Sequence, residues 1–345
     1  MSDRTDIKNL SEEALVSRLE RFGLPAYRAG QILRWIYHRN VMRFSEMTDL
    51  SKDLRPWLSD HFRISRLEPE ELVVSQDGSR KFLFRLHDGH LIESVLIPER
   101  EHWTLCISSQ VGCAMGCKFC LTGRGGLTRN LQPAEIVNQV CAAKEALGQG
   151  GRLTNIVFMG MGEPLANYDA VVQAIRTITD NNGLQFSNHR VTLSTVGLVS
   201  RMDELGRDVT VNLAVSLNAP TDDTRNALMP VNGTFPIESL LAACSRFPLP
   251  SRRMITFGYI LIAGINDSPE DAMRLAKLLR PVRAKINLIP FNTFDGTFFE
   301  RPKEDAILAF QKVLTDNHYT TIIRQSKGQD IGAACGQLRA SKVSS

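Results

Sequence analysis

The chain has 345 residues, a formal net charge of +4, and 43% hydrophobic against 23% charged residues, values that exclude a disordered polar chain and leave room for one large domain plus a smaller piece. No apolar run approaches the roughly 18 residues of a membrane span, and MSDRTDIKNL has no apolar leader, so a cytoplasmic protein without membrane contact is expected. Seven cysteines, an odd number, argue against a disulfide framework and point to metal or redox work, while the mild positive balance permits an anionic partner such as RNA without requiring one.

Taken in chain order, residues 1 to about 60 read as helical. Ser11 caps SEEALVSRLERFG, Gly23 stops it, and Leu15, Leu19 and Phe22 recur at helical spacing. AYRAGQILRWIYHRN and SKDLRPWLSDHF are predicted as the second and third helices. From 69 to 98 apolar and polar residues alternate, and Asp-Gly pairs at 77–78 and 88–89 predict a small antiparallel meander. From about 102, strand signals (WTLCISS, LTNIVFMG, HRVTLSTVG, TVNLAVSLNA, RRMITFGYILIAG, AKINLIPFN, YTTIIRQS) alternate with helix signals such as PAEIVNQVCAAKEAL and SPEDAMRLAKLLR. The pattern predicts an α/β fold with a parallel sheet closing partly or fully into a barrel, and chemistry at the C-terminal strand ends.

Four cysteines lie in CISSQVGCAMGCKFC. Cys113, Cys117 and Cys120 form a C-x3-C-x2-C run directly after the first barrel strand. No second knuckle appears with the spacing of a zinc finger, and a tight run of thiolates suits an iron–sulfur cluster, three ligands leaving one iron open. A zinc or redox-sensing site is the other reading, but it gives no reason for the barrel pattern that follows. CAMGCKFC resembles the radical S-adenosylmethionine (SAM) enzymes, in which the open iron of a [4Fe-4S] cluster holds the cofactor. MGMGEP at 159–164 ends the next strand, and the resemblance implies that Gly162 and Glu163 bind the amino end of SAM. A plain strand-to-helix turn is the simpler reading of that stretch.

Strand alternation sets Thr104, Cys106 and Ser108 on one face, so Cys106 points into the barrel lumen if the aliphatic face packs on helices. Cys335 lies near the C-terminus in QSKGQDIGAACGQL, among Gly328, Gly332 and Gly336, in a loop that suits a reactive thiol. A buried inert cysteine and a terminal thiol without a role are the bland alternatives. Cys141 and Cys244 fall in predicted helices and read as core.

Nearly the whole chain, and DIGAACGQL above all, is similar to the radical-SAM methyltransferases that modify adenine carbon 2 in 23S ribosomal RNA and transfer RNA. That resemblance implies a partial (β/α) barrel of radical-SAM type at 101–345, an N-terminal helical domain at 1–62 that meets RNA, and an antiparallel extension at 63–100. It also implies two SAM molecules per turnover, transfer-RNA position 37 as one target, and an electron donor such as flavodoxin for a monomeric enzyme. Cys335 is implied to take a methyl group and deliver it as a methylene radical. Cys106 then forms a transient disulfide with Cys335, releasing the product. Glu93, in HLIESVLIPE, matches the position implied to take the carbon-2 proton; by its strand alone it reads as an outward-facing glutamate. Ser194, Ser216, Leu217, Asn218 and Asn292 match further cofactor contacts, with a departure at Asn218, where the family pattern has His. A sister enzyme methylating carbon 8 and a radical-SAM protein activator are the alternatives. For RNA contact, GRGGLTRN at 123–130 sits at the active rim. The second helix carries Arg28, Arg34, Arg39 and Arg43 among Tyr27, Trp35 and Tyr37, which reads first as a core stripe with a solvated basic face.

Overall fold

The computed structural model describes residues 4–340. Three helices come first: α1 (Glu12–Arg21), α2 (Tyr27–Tyr37) and α3 (Leu54–His61). The Ser11 hydroxyl accepts from the Ala14 N–H and caps α1, whose Leu15 and Leu19 are buried. Phe22 departs from that stripe. It lies past the last helical turn, 54% exposed, edge-on to Trp57. Helix α2 is shorter than its apolar pattern because the chain turns out at Asn40, in the left-handed region at φ 53.

A ten-stranded sheet follows. Its strands are β1 (Pro69–Val74), β2 (Arg80–Arg85), β3 (Leu91–Pro98), β4 (Trp103–Cys106), β5 (Leu153–Phe158), β6 (Val191–Thr195), β7 (Asn212–Ser216), β8 (Ile255–Leu261), β9 (Ala284–Pro290) and β10 (Thr321–Ile323). Their spatial order is their chain order, with β1 and β10 at the two edges. The barrel is therefore open. Strands β1 to β4 pair antiparallel, and from β4 onward each strand pairs in parallel with the next. Each parallel pair needs a crossover. These contain α4 (Pro133–Leu147), α5 (Tyr168–Thr179), α6 (Val199–Asp208), α7 (Asp222–Leu228), α8 (Ile237–Arg246), α9 (Pro269–Leu278) and α10 (Glu304–Asp316).

Burial alternates strictly along β8 and β9. Ile255, Phe257, Tyr259 and Leu261 are buried, whereas Ile260 and Ile289 are half-covered and line cavities inside the barrel. The meander is one sheet with the barrel: Cys106 pairs with Val95 on one side and Val157 on the other. The N-terminal segment is stitched to α4, with the Lys8 ammonium donating to Asn138 Oδ1 at 2.7 Å and the Ala134 N–H to Asn9 Oδ1 at 2.9 Å. No helix among the described residues is long and apolar enough to cross a membrane.

Candidate active site

Beyond β4 the chain forms a short strand (Gln110–Gly112) paired with Leu127–Asn130, and the cysteine triplet lies between them. The Cys113 N–H donates to Gly126 O at 2.8 Å, and the Lys118 N–H to Leu228 O at 3.0 Å, tying the triplet loop to its glycine-rich return and to α7. Cys113, Cys117 and Cys120 line one cavity of about 830 Å³ including its open mouth, together with Phe119, Gly162, Glu163, Ser194 and Ser216. Burial pushes the Cys113 thiol up to about 11 and Cys117 higher still, and neighbouring thiols add to both. The protein alone thus keeps these sulfurs protonated, and a cationic group must supply the charge that makes them thiolates. Among the described residues no three His, Cys, Asp or Glu side chains converge tightly enough to cage one metal ion. Three thiols lining one shared cavity could hold an iron–sulfur cluster, whose usual ligands are cysteine thiolates.

Glu163 follows β5 and is buried at 2% exposure. Its oxygens accept from the Leu165 N–H (3.0 Å) and the Val196 N–H (2.8 Å), which ties the end of β5 to the end of β6. Burial raises its carboxyl to about 7, against those donors. Gly162 has φ +100, and a Cβ there would meet Gln110 Cβ at 2.6 Å. The close approach its glycine permits is thus to Gln110, whose side-chain oxygen accepts from the Glu163 N–H at 2.8 Å. Gln110 carries no motif signal of its own.

The remaining predicted cofactor contacts divide. Ser194 and Ser216 line the cavity. Leu217 and Asn218 lie behind it and are fully buried. The Asn218 amide is spent between β7 and β8: Oδ1 accepts from the Ile260 N–H at 2.9 Å, and Nδ2 faces the Met229 sulfur at 3.2 Å. Its φ of 61 is a conformation Asn tolerates better than most residues. Asn292 binds protein: Nδ2 donates to Cys335 O at 3.1 Å, and Oδ1 accepts from Gln329. Sequence reasoning missed Arg225. Its guanidinium is fully buried on α7 and donates to the carbonyls of Val196, Ser216, Leu217 and Phe235 and to Asn232 Oδ1. It thereby locks together the strand ends that carry Ser194 and Ser216.

Cys106 and Cys335 line a second cavity of about 730 Å³ including its open mouth, with Arg324 and Lys327. Cys335 and Cys120 border both cavities, so the loop thiol stands between the triplet and Cys106. Both thiols are free. Burial pushes Cys106 up to about 12, and the nearby Cys335 adds to this while Arg324 opposes it. Cys244 is buried in α8, and Cys141 is half-buried in α4.

The strand pattern of Glu93 points outward, and there the structure differs. Glu93 is 1% exposed, because β3 is covered on both faces. Its carboxylate sits 3.2 Å from the Lys81 ammonium and accepts from the backbone N–H groups of Arg339 (2.8 Å) and Ala340 (2.9 Å). It lines neither of the two cysteine cavities. Of the candidate RNA-contact residues, Trp35 and Tyr37 are core, Arg39 stacks over Trp35, and Tyr27 is exposed. The glycine-rich loop, through Arg124, Gly125, Gly126 and Thr128, borders an open groove of about 1290 Å³ including its mouth, with His90, Asp295 and Arg339.

Residues 107–276 match the radical SAM superfamily, and residues 5–64 match the ribosomal RNA large subunit methyltransferase N-terminal domain. The chain is 56% identical over 343 residues to a Geobacter sulfurreducens protein named dual-specificity RNA methyltransferase RlmN, covering 98% of this chain and 93% of the relative. A Desulfosudis oleivorans protein of the same name is 55% identical over 336 residues, covering 97% and 91%. The crystal structure of a radical SAM methyltransferase from Sphaerobacter thermophilus superposes with a TM-score of 0.91 at 44% identity, covering 98% of this chain and 100% of that one.

Proposed function

The chain belongs to the RlmN family of radical SAM RNA methyltransferases, and we propose that it methylates carbon 2 of adenine in 23S ribosomal RNA and at position 37 of the transfer-RNA anticodon loop. The family uses a [4Fe-4S] cluster and SAM. The single observation that carries the reading is that Cys335 borders both the triplet cavity and the cavity of Cys106. On this reading Cys113, Cys117 and Cys120 hold the cluster. Gly162, Glu163, Ser194 and Ser216 hold SAM, with Leu217, Asn218 and Asn292 shaping the walls.

Carbon 2 of adenine is electron-poor and does not attack a methyl sulfonium, so the methyl group must arrive by another route. When bound, SAM and its cluster supply the methyl group, the radical that removes a hydrogen atom from it, and the return site for the surplus electron. The chain's residues do the rest. The Cys335 sulfur takes the methyl group and presents it to the ring. Glu93 accepts the carbon-2 proton once the Arg339–Ala340 segment moves off its carboxylate. Cys106 attacks the Cys335 sulfur: an S–S bond forms, the C–S bond breaks, and its electron pair goes to the methylene carbon, which gains a proton and becomes the methyl group. Burial keeps Cys106 neutral at rest, so the attack is coupled to loss of its proton. A cellular dithiol then reduces the disulfide.

Residues 1–62 and the glycine-rich loop meet RNA, 63–100 supplies Glu93, and 101–345 does the chemistry. The target base must leave its stack, at a cost of a few kcal/mol that is least in a loop. We place the enzyme in the cytoplasm as a monomer served by a donor such as flavodoxin. The test is methyl mapping by mass spectrometry on both RNAs. Wild type should yield 2-methyladenine, Cys335→Ala none, and Cys106→Ala an RNA–protein thioether that persists. Methylation at carbon 8, or full activity of Cys335→Ala, would overturn the reading.

A further inference from the structure

The loop that carries Cys335 takes its shape from glycine conformations and from contacts outside it. Gly328, Gly332 and Gly336 all have positive φ, at 66, 62 and 85. Glycine has the widest choice of backbone states, so contacts from outside must select one. Asn292 Nδ2 holds the Cys335 carbonyl itself at 3.1 Å. Downstream, the Leu121 N–H donates to Gly336 O at 2.8 Å and the Thr122 hydroxyl to Leu338 O at 2.7 Å, Gln337 donates to Thr293 O, and Glu93 accepts from Arg339 and Ala340.

Upstream, the charged anchors come from the first turn of the meander, and they are reciprocal. The turn's Asp77 accepts the Gly328 N–H at 2.9 Å through Oδ2, while its Oδ1 closes the turn on the Ser79 N–H at 2.9 Å. The loop's Asp330 accepts from the Ser75 hydroxyl at 2.5 Å and from the Gln76 N–H at 3.0 Å. Each segment thus donates to the other's carboxylate. The two carboxylates stay charged under working conditions. Partial burial opposes this at Asp77, but the Gly328 and Ser79 N–H groups bring it to about 2, and the Ser75 hydroxyl lowers Asp330.

We infer that this turn is the upstream dock that helps set the position of Cys335, and that Asp77 and Asp330 are positioning residues for methyl transfer, an inference that rests on Cys335 as the methyl carrier. The reason is geometric. Cys335 must serve two adjoining cavities, and a displacement of about 1 Å is enough to cost on the order of a hundredfold in rate. Asp330 is exposed and its loss leaves the core intact.

The substitutions discriminate. Asp330→Ala removes both acceptors. Asp330→Asn keeps an oxygen for the Gln76 N–H and offers an N–H to the Ser75 hydroxyl. Asp77→Asn keeps the turn, Asn-Gly being a good hairpin pair, but turns an N–H toward the Gly328 N–H. Each is made in the full chain carrying its cluster. Two readouts apply: the rate of iodoacetamide alkylation at Cys335, mapped by peptide mass spectrometry, and kcat and KM for RNA methylation with 5′-deoxyadenosine counted per methyl group. Asp330→Ala and Asp77→Asn should alkylate roughly five to ten times faster, as expected for the loss of one or two hydrogen bonds. Their kcat should fall by a similar factor at unchanged KM, with excess 5′-deoxyadenosine and unchanged cluster absorbance. Asp330→Asn should stay near wild type. Wild-type alkylation and kcat in Asp330→Ala and Asp77→Asn would overturn the inference. So would a fall in activity that merely tracks lost cluster, or an Asp330→Asn as impaired as Asp330→Ala. Cys335→Ala in parallel separates the two ideas: if it still methylates RNA, the carrier reading has failed, whatever the alkylation rates show.

Discussion

Glu163 and Arg225 are single residues that set the electrostatics of the candidate cofactor site, and burial moves both away from their ordinary ranges. The Glu163 carboxyl, raised to about 7 by burial, is neutral below that pH and charged above it. This shift favours the folded state fully below the ordinary carboxylate range, and the effect is lost as pH rises through about 7. An ammonium group needs the charged form. SAM binding at pH ~6.5 should therefore release a proton from this group, and the release should fade above pH ~8. Calorimetry in two buffers of different ionisation enthalpy measures it; equal heats at the lower pH would count against Glu163 as the amino-group partner. Arg225 is held by carbonyls, and burial lowers its guanidinium to about 10. Arg225→Met leaves several buried carbonyls unpaired, and denaturant unfolding should show a loss of about 3–5 kcal/mol. Arg225→Lys should recover little, since one ammonium cannot span the fork.

At the scale of elements, the antiparallel meander accounts for both Asp-Gly turns that stand out in the sequence. Gly78 and Gly89 have φ of 85 and 86, as hairpin turns demand. What alternation and turn chemistry do not reveal is what the turn carboxylates hold. Asp77 reaches the Cys335 loop. Asp88 takes the Arg129 Nε–H, and Arg129 also spans both oxygens of Glu135 at 2.8 Å. The second turn thus fastens the end of the glycine-rich loop to the start of α4. The Arg129 hydrogen bond lowers Asp88 to about 2. That contact should persist at any pH above the ordinary carboxylate range and be lost as pH falls toward 2. Arg129→Ala should cost about 1–2 kcal/mol, discounted for partial exposure. It should also speed proteolysis between 123 and 130; an unchanged cleavage rate would refute the fastening role.

For the whole molecule, the N-terminal helices share one continuous core with the barrel, from Ile7 and Leu33 to Ile136 and Val140. Removing residues 1–62 should lower Tm by several degrees and expose the apolar face of α4, measured by scanning calorimetry and dye binding; an unchanged Tm would mean independent folding. Local signals suffice for much of this molecule. Period-two alternation, helical spacing, caps and turn glycines are properties of neighbouring residues, so the main-sheet strands, most helices and the cysteine triplet are legible in the chain itself, whereas the open edge of the barrel and the short strand pair around the triplet are not. Lumen-facing Cys106 follows from strand phase and is borne out by its cavity. Long-range contacts are another matter. Glu93 looks solvent-facing because alternation cannot see that a segment some 246 residues later covers its face. Phe22 joins a helical stripe on paper and leaves it because the helix ends first. Nothing in DIGAACGQL says that Asp330 answers a hairpin turn 255 residues upstream. The sequence by itself determined the elements, their order and the kind of chemistry, because these depend on local stereochemistry and on residue type. Only the tertiary structure decided which carboxylates are buried, which thiols share a cavity and what holds the Cys335 loop, because burial and hydrogen-bond pairing arise between distant segments that local sequence does not encode.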